Sequence, residues 1–228
     1  MNKESTISMI KDILQTGRKA LSEYESKQVL AAFQIPVTPE VLVSKRTAVK
    51  KAAESIGYPL VMKACSAEIA HKTERGLIRV DIRSSREALA AFDGIKAGLD
   101  GQQADVLVQK MVSGRRELVM GLTRDGQFGP CVMFGLGGIF TEILRDVCFR
   151  RAPLERADAL AMLHEIKGRK ILSAVRGMEA ADRGQLADML VAVGQIGVEI
   201  DQVREIDLNP VILSGSSPIV VDALIILE

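Results

Sequence analysis

The residues best suited to chemistry stand near the C-terminus, in two apolar runs. These are REIDLNPVIL at 204–213 and PIVVDALIIL at 218–227, joined by Ser214-Gly215-Ser216-Ser217. Folded as a simple hairpin, they bring Asn209 and Asp222 within about one residue of facing each other, where side chains approach to roughly 5 Å. Asp207 is two residues from Asn209 and Glu205 two further back, so strand alternation puts them on one face. Carboxylates crowded on an apolar sheet repel unless a cation sits among them. Oxygen-only donors suit Mg²⁺, which takes few carboxylates and completes its shell with nucleotide phosphates. The spacing nominates Asp207, Asn209 and Asp222 as metal ligands.

Four further features could serve a phosphorylated ligand. Lys63 interrupts the apolar run PLVMKA; it either snorkels to the surface or aims a cation into a cleft. The following loop, CSAEIAHKTERGL, carries His71, Lys72, Arg75 and Gly76, as a solvated loop or as a phosphate lid with an imidazole near its tip. In VLVQKMVSGRRELVMG at 106–121, Glu117 is either an edge-strand carboxylate or a ligand for ribose hydroxyls. The run GLGG at 135–138 is either a tight turn or a close backbone approach to an anion, and it lacks the GK[ST] of a P-loop. Cys65, Cys131 and Cys148 lie apart in apolar text, form no CxxC pair, and read as buried thiols.

The elements that must position these residues change character along the chain. Residues 1–20 read as an N-terminal arm. Ser22 with Glu25 predicts a capped helix ending before Pro36, followed by a strand at Val41–Val43, a helix through Ala48, Ala52 and Ile56, and the strand PLVMKA. A strand from Leu77 to Ile82, a helix capped by Ser84 and Glu87, and a strand from Asp105 to Lys110 complete a first lobe over 21–110. The second lobe, 111–228, opens with two strands about Asp125-Gly126 and a third in TEILRDVCFR. Helices near 154–166 and 181–197 and the C-terminal strand pair follow. The reading is α+β in two lobes.

Composition narrows the function classes. Across 228 residues, 47% are hydrophobic and 26% charged, which suits a globular chain. A net charge of +1 gives no bulk attraction to nucleic acid or to an anionic membrane. No apolar run reaches bilayer length, and the opening MNKESTISMIKDIL has no secretory signal pattern, so the cytoplasm is the expected location.

Taken in order, these strings resemble the ATP-grasp superfamily. More narrowly, the chain is similar to the β subunit of ADP-forming acetyl-CoA and acyl-CoA synthetases, which are related to succinyl-CoA synthetase. The resemblance covers residues 20–228. It is carried by YPLVMKACSAEIAHKTERG, by VLVQKMVSGRRELVMGLTRDGQFGPCVMFGLGGIFTEILRDVCFRRAPL, and by EIDLNPVIL with VVDALII. It implies two α/β lobes with ATP or ADP held between them. Lys63 is then expected on the nucleotide phosphates, Gln109, Lys110, Met111 and Val112 at the adenine hinge, and Glu117 on the ribose. Mg²⁺ would sit on Asp207, Asn209 and Asp222, Arg150 would face phosphate, and His71 would receive a phosphoryl group from a partner's phosphohistidine. Relatives usually carry two glycines where Arg75-Gly76 stands, and several carry glutamate in place of Gln109.

The implied reaction is acyl-CoA + ADP + phosphate ⇌ carboxylic acid + CoA + ATP, completed by a CoA-binding α subunit in a heterotetramer. Two rivals are a self-contained ATP-grasp carboxylate ligase and a non-catalytic nucleotide-binding regulatory subunit. The ligase needs a substrate pocket on the same chain, and the regulator has no use for His71.

Overall fold

The computed structural model describes residues 2–69, 75–138, 146–175 and 177–228. They fall into two compact units, a smaller one of Ser22–Tyr24 and Thr38–Met111 and a larger one of 1–21, Glu25–Val37 and Val112–Glu228. The chain opens with helix α1 (Lys3–Gln15), capped by Asn2, whose side chain accepts from the Ser5 amide at 2.9 Å. Helix α2 (Glu23–Ala32) follows. The expected arm is therefore part of a core. Ile10 and Ile13 of α1 are buried with Leu21, Val29, Leu30, Phe33 and Ile35 in the larger unit's apolar cluster. The expected first lobe also loses 25–37, because these side chains bury there.

The smaller unit is an antiparallel sheet in the order β1 (Glu40–Val43), β4 (Asp105–Lys110), β2 (Leu60–Cys65), β3 (Ile78–Ile82). Two helices, α3 (Arg46–Ile56) and α4 (Ser85–Ala97), supply its second layer. Ser84 caps α4 by accepting from the Glu87 amide at 3.2 Å. Val49, Ala53, Ala88 and Ile95 bury against Leu60, Met62, Ala64, Val106 and Val108. Alternation along β2 and β4 sends Val61, Lys63, Leu107 and Gln109 to the other face.

The larger unit holds a six-stranded sheet whose path runs β10, β8, β5, β6, β7, with β9 also pairing β8. Its strands are β5 (Glu117–Asp125), β6 (Gly129–Leu136), β7 (Val147–Arg151), β8 (Val203–Ser214), β9 (Ser217–Val220) and β10 (Leu224–Leu227). Helices α5 (Arg156–Glu165) and α6 (Arg183–Glu199) cover one face, where Leu118, Met120, Leu122, Val132 and Phe134 meet Leu186, Leu190, Val193 and Ile196. The β5–β6 turn is longer than the dipeptide Asp125-Gly126 suggests, because pairing closes at Asp125 and Gly129. Asp125 Oδ1 accepts from the Gln127 and Phe128 amides, and the left-handed backbone falls on Gly129 at φ 74°. Among the described residues no helix is long and apolar enough to cross a membrane.

Arg116 is the polar tie of the larger unit. Its guanidinium is buried and donates to the carbonyls of Ile171 (3.1 Å), Ser173 (3.4 Å), Glu179 (2.7 Å) and Gly215 (2.9 Å). Replacing it by methionine keeps most of the volume and strips these carbonyls of their donor. Arg116→Met is expected to cost roughly 2–4 kcal/mol, read as a lower urea midpoint with an unchanged m-value. A midpoint within error of the parent would show that the four contacts exchange freely for water.

Candidate functional site

Strand β8 places the acidic cluster. Ile206 and Leu208 are buried in the core, so Asp207 points to the face that α5 and α6 leave open, and Glu205 follows by alternation. Between Leu118↔Val211 and Met120↔Leu208 the register slips. Asn209 and Pro210 together face Val119 alone, as expected where a proline has no N–H for the ladder. The bulge turns Asn209 outward and leaves it exposed. On the other side of β8, Val211↔Val220 and Asp207↔Leu224 share one register, which sets Asp222 opposite Asn209. The Asp207 carboxyl is pushed up to about 6, first by burial and then by Glu205 and Asp222. Burial costs the carboxylate its hydration, and the two neighbouring acids add repulsion to that. Among the described residues no three His, Cys, Asp or Glu side chains form a ready-made metal cage.

Glu117 starts β5 on the same open face as Gly121, which pairs with Asp207. The glycine run packs directly over it. The Gly137 amide donates to the Glu117 carbonyl at 2.8 Å, and a Cβ at Gly137 would meet the Glu117 and Leu118 backbone within 2.8–2.9 Å. At Gly138, with φ 62°, a Cβ would stand 2.8 Å from Glu117 Oε2. The GLGG run is thus a close backbone approach to the Glu117 carboxylate.

In the smaller unit the sheet face turned away from α3 and α4 carries Lys63 and Gln109. Lys63 does not snorkel. Its side chain is 5% exposed and its Nζ lies 2.7 Å from Oε1 of Glu23, itself 1% exposed. Gln109 is fully buried in the central strand beside Val61. Lys110 faces the opposite way, and its Nζ donates to the carbonyls of Gly57 (2.9 Å) and Tyr58 (2.7 Å). The Lys110 amide donates to Pro39 O and the Met111 amide to Pro59 O. Two of the four expected hinge amides are therefore engaged within this unit.

Arg150 departs from expectation. It pairs with Val132 and follows Cys148, which packs on the core, so it lies on the helix-covered side of the sheet. There it is ion-paired with Glu165 of α5 at 2.8 Å. The resemblance gave it a phosphate; strand alternation turns it away from the face bearing Glu117 and Asp207. Arg75 donates to Gln102 Oε1 at 3.0 Å. His71 and Lys72 lie outside the described residues. The Cys148 thiol is raised to about 11, chiefly by burial, as suits an inert thiol. Sequence reasoning missed Glu23. It was read only as text inside a capping pattern, and its ion pair with a residue 40 positions away leaves no local signature.

Comparison with known proteins agrees along the whole chain. Residues 12–227 match the ATP-grasp domain family. The β subunit of acetate–CoA ligase [ADP-forming] II from Pyrococcus furiosus is 41% identical over 234 residues, spanning 99% of this chain and 99% of its own. Dinucleotide forming acetyl-coenzyme A synthetase 1 of Ca. Korarchaeum cryptofilum, solved with coenzyme A, Ca-AMPCP and HgCl⁺, superposes with a TM-score of 0.93 at 40% identity, covering 98% of this chain and 100% of that one. The same enzyme was solved with coenzyme A and Mg-AMPPCP, its phosphohistidine segment pointing towards the nucleotide binding site. That structure superposes at 0.87 with 40% identity and the same coverage, 98% and 100%.

The Asp207 shift has a consequence for stability. A carboxyl raised from 3.8 to about 6 holds its proton more tightly in the folded chain. Its contribution is fully present below about pH 4 and lost as pH rises through about 6. Asp207→Asn removes that loss. In metal-free buffer the variant is expected to exceed the parent by on the order of 1–2 kcal/mol at pH 8, allowing for partial exposure, and to match it near pH 4. Thermal melts at the two pH values decide this. An equal difference at both would exclude carboxylate crowding as the cause.

Proposed function

The chain belongs to the ATP-grasp domain family, and on that premise we propose that it is the nucleotide-binding subunit of an ADP-forming acyl-CoA synthetase. The observation that carries this reading is the end-to-end match with a β subunit of such a ligase, 99% of each chain. The reaction is acyl-CoA + ADP + phosphate ⇌ carboxylic acid + CoA + ATP, carried out with a CoA-binding α subunit in a cytoplasmic heterotetramer.

Each side chain then has a role. Lys63 presents a cation to the nucleotide phosphates, and the Glu117 carboxylate accepts from the ribose hydroxyls. With the Lys110 and Met111 amides engaged by Pro39 and Pro59, purine recognition by a hinge N–H falls to Val112. The buried Gln109 shapes the strand beneath it. Asp207, Asn209 and Asp222 are the residues to hold Mg²⁺, and the raised Asp207 carboxyl fits a hard cation that takes its remaining ligands from phosphate and water. Bound there, Mg²⁺ would neutralise charge on the phosphates. Arg150, held by Glu165, is given no phosphate.

His71 acts as the relay. Its imidazole nitrogen attacks the phosphorus of the partner's phosphohistidine, forming one N–P bond as the donor's breaks. A terminal oxygen of the ADP β-phosphate then attacks the same phosphorus, the His71 N–P bond breaks, and ATP leaves.

The test uses the chain with and without a CoA-binding partner. The chain alone is expected to bind Mg-ADP and to make no acyl-CoA. The reconstituted complex should carry acid-labile, base-stable phosphate on this chain. His71→Ala should abolish that label and lower turnover by at least about 10³-fold while leaving Mg-ADP binding near the parent. Turnover near the parental rate in His71→Ala would mean direct transfer from partner to ADP, and robust synthesis by the chain alone would replace the two-subunit reading.

A further inference from the structure

The buried ion pair between Lys63 and Glu23 has no place in the reaction just described, yet it accounts for how a lysine can serve there. Strand β2 puts Leu60, Met62 and Ala64 into the smaller unit's apolar cluster and sends Lys63 to the opposite face. Neither side chain of the pair reaches bulk water to a useful extent, at 5% and 1% exposure. A lysine buried alone shifts toward its neutral form, and a neutral amine is a poor partner for phosphate. The Glu23 carboxylate, at 2.7 Å, favours the ammonium and fixes the long side chain in one rotamer. Stability does not explain such a pair, because two apolar residues of similar volume generally serve a core as well.

We infer that Glu23 is a positioning residue for Lys63. Its carboxylate keeps the ammonium charged and aimed along the sheet face turned away from α3 and α4, on the reading above that Lys63 meets nucleotide phosphate. Glu23 touches no phosphate itself; it acts only through the lysine.

The inference is tested by calorimetry of Mg-ADP binding to the full chain, set out as a double-mutant cycle. Glu23→Gln is expected to weaken binding roughly tenfold or more, as loss of orientation does. Glu23→Asp, which keeps the charge with a shorter reach, should fall between. In the Lys63→Met background, Glu23→Gln should add no further loss, since both act on one contact. Should Glu23→Gln fail to fold, Glu23→Asp carries the test. Weaker binding at an unchanged melting temperature supports the inference, and parental binding overturns it. Parental binding in Glu23→Gln, with loss in Lys63→Met, would overturn the role of Glu23 and leave that of Lys63 intact. Losses that add in the double variant would also overturn it, because Glu23 would then act independently of the lysine. Parental binding in Lys63→Met would remove Lys63 from the proposed function and this inference with it.

Discussion

Each of the two sheets buries one face under helices, and strand alternation does the rest. Leu60, Met62, Ala64, Val106 and Val108 must face α3 and α4, so Lys63 and Gln109 are forced onto the other side. In the larger unit Leu118, Met120 and Ile206 face the helical layer, which forces Glu117 and Asp207 onto the open side. The hydrophobic effect is non-directional, but a pleated strand converts it into an orientation for every second residue. A slip of one residue in β8 would put Asp207 in the core and Ile206 on the face that bears Glu117.

The two sheet faces turned away from these helices carry charge in two different regimes. In the smaller unit Glu23 and Lys63 neutralise each other almost completely out of water. In the larger unit Glu205, Asp207 and Asp222 are of one sign, and Asp207 is raised to about 6. An ion pair of opposite charge holds a geometry, whereas neighbouring carboxylates of one sign raise the pKa of a partly buried member.

Backbone approach is set by small residues. Gly137 lies against the Glu117 and Leu118 backbone at distances no Cβ would tolerate, and its amide bonds to the Glu117 carbonyl. Arg116, one residue earlier, collects four carbonyls from three other segments. The start of β5 is therefore fixed from both sides.

Much of the site was legible in the order of residues. The C-terminal hairpin, its turn at Gly215, and the facing of Asn209 and Asp222 follow from period-two alternation and the length of the link, both local properties, although the second run breaks into β9 and β10 on either side of Asp222. The strands β1 to β4 and the caps of α4 were equally plain, and the family strings identified the chain's kin. What the sequence could not decide depends on distant partners. Residues 1–37 read as arm and first lobe, yet Ile10, Leu30 and Phe33 find their apolar surface in the larger unit. Lys63 could snorkel to the surface or aim into a cleft, and the contact that holds it out of water comes from Glu23, 40 residues away. Arg150 carried a family role, but pairing of β7 with β6 set its face and gave it Glu165. Propensity and periodicity act over a few residues, while burial of charge and the choice of sheet face are settled only when strands from across the chain come together.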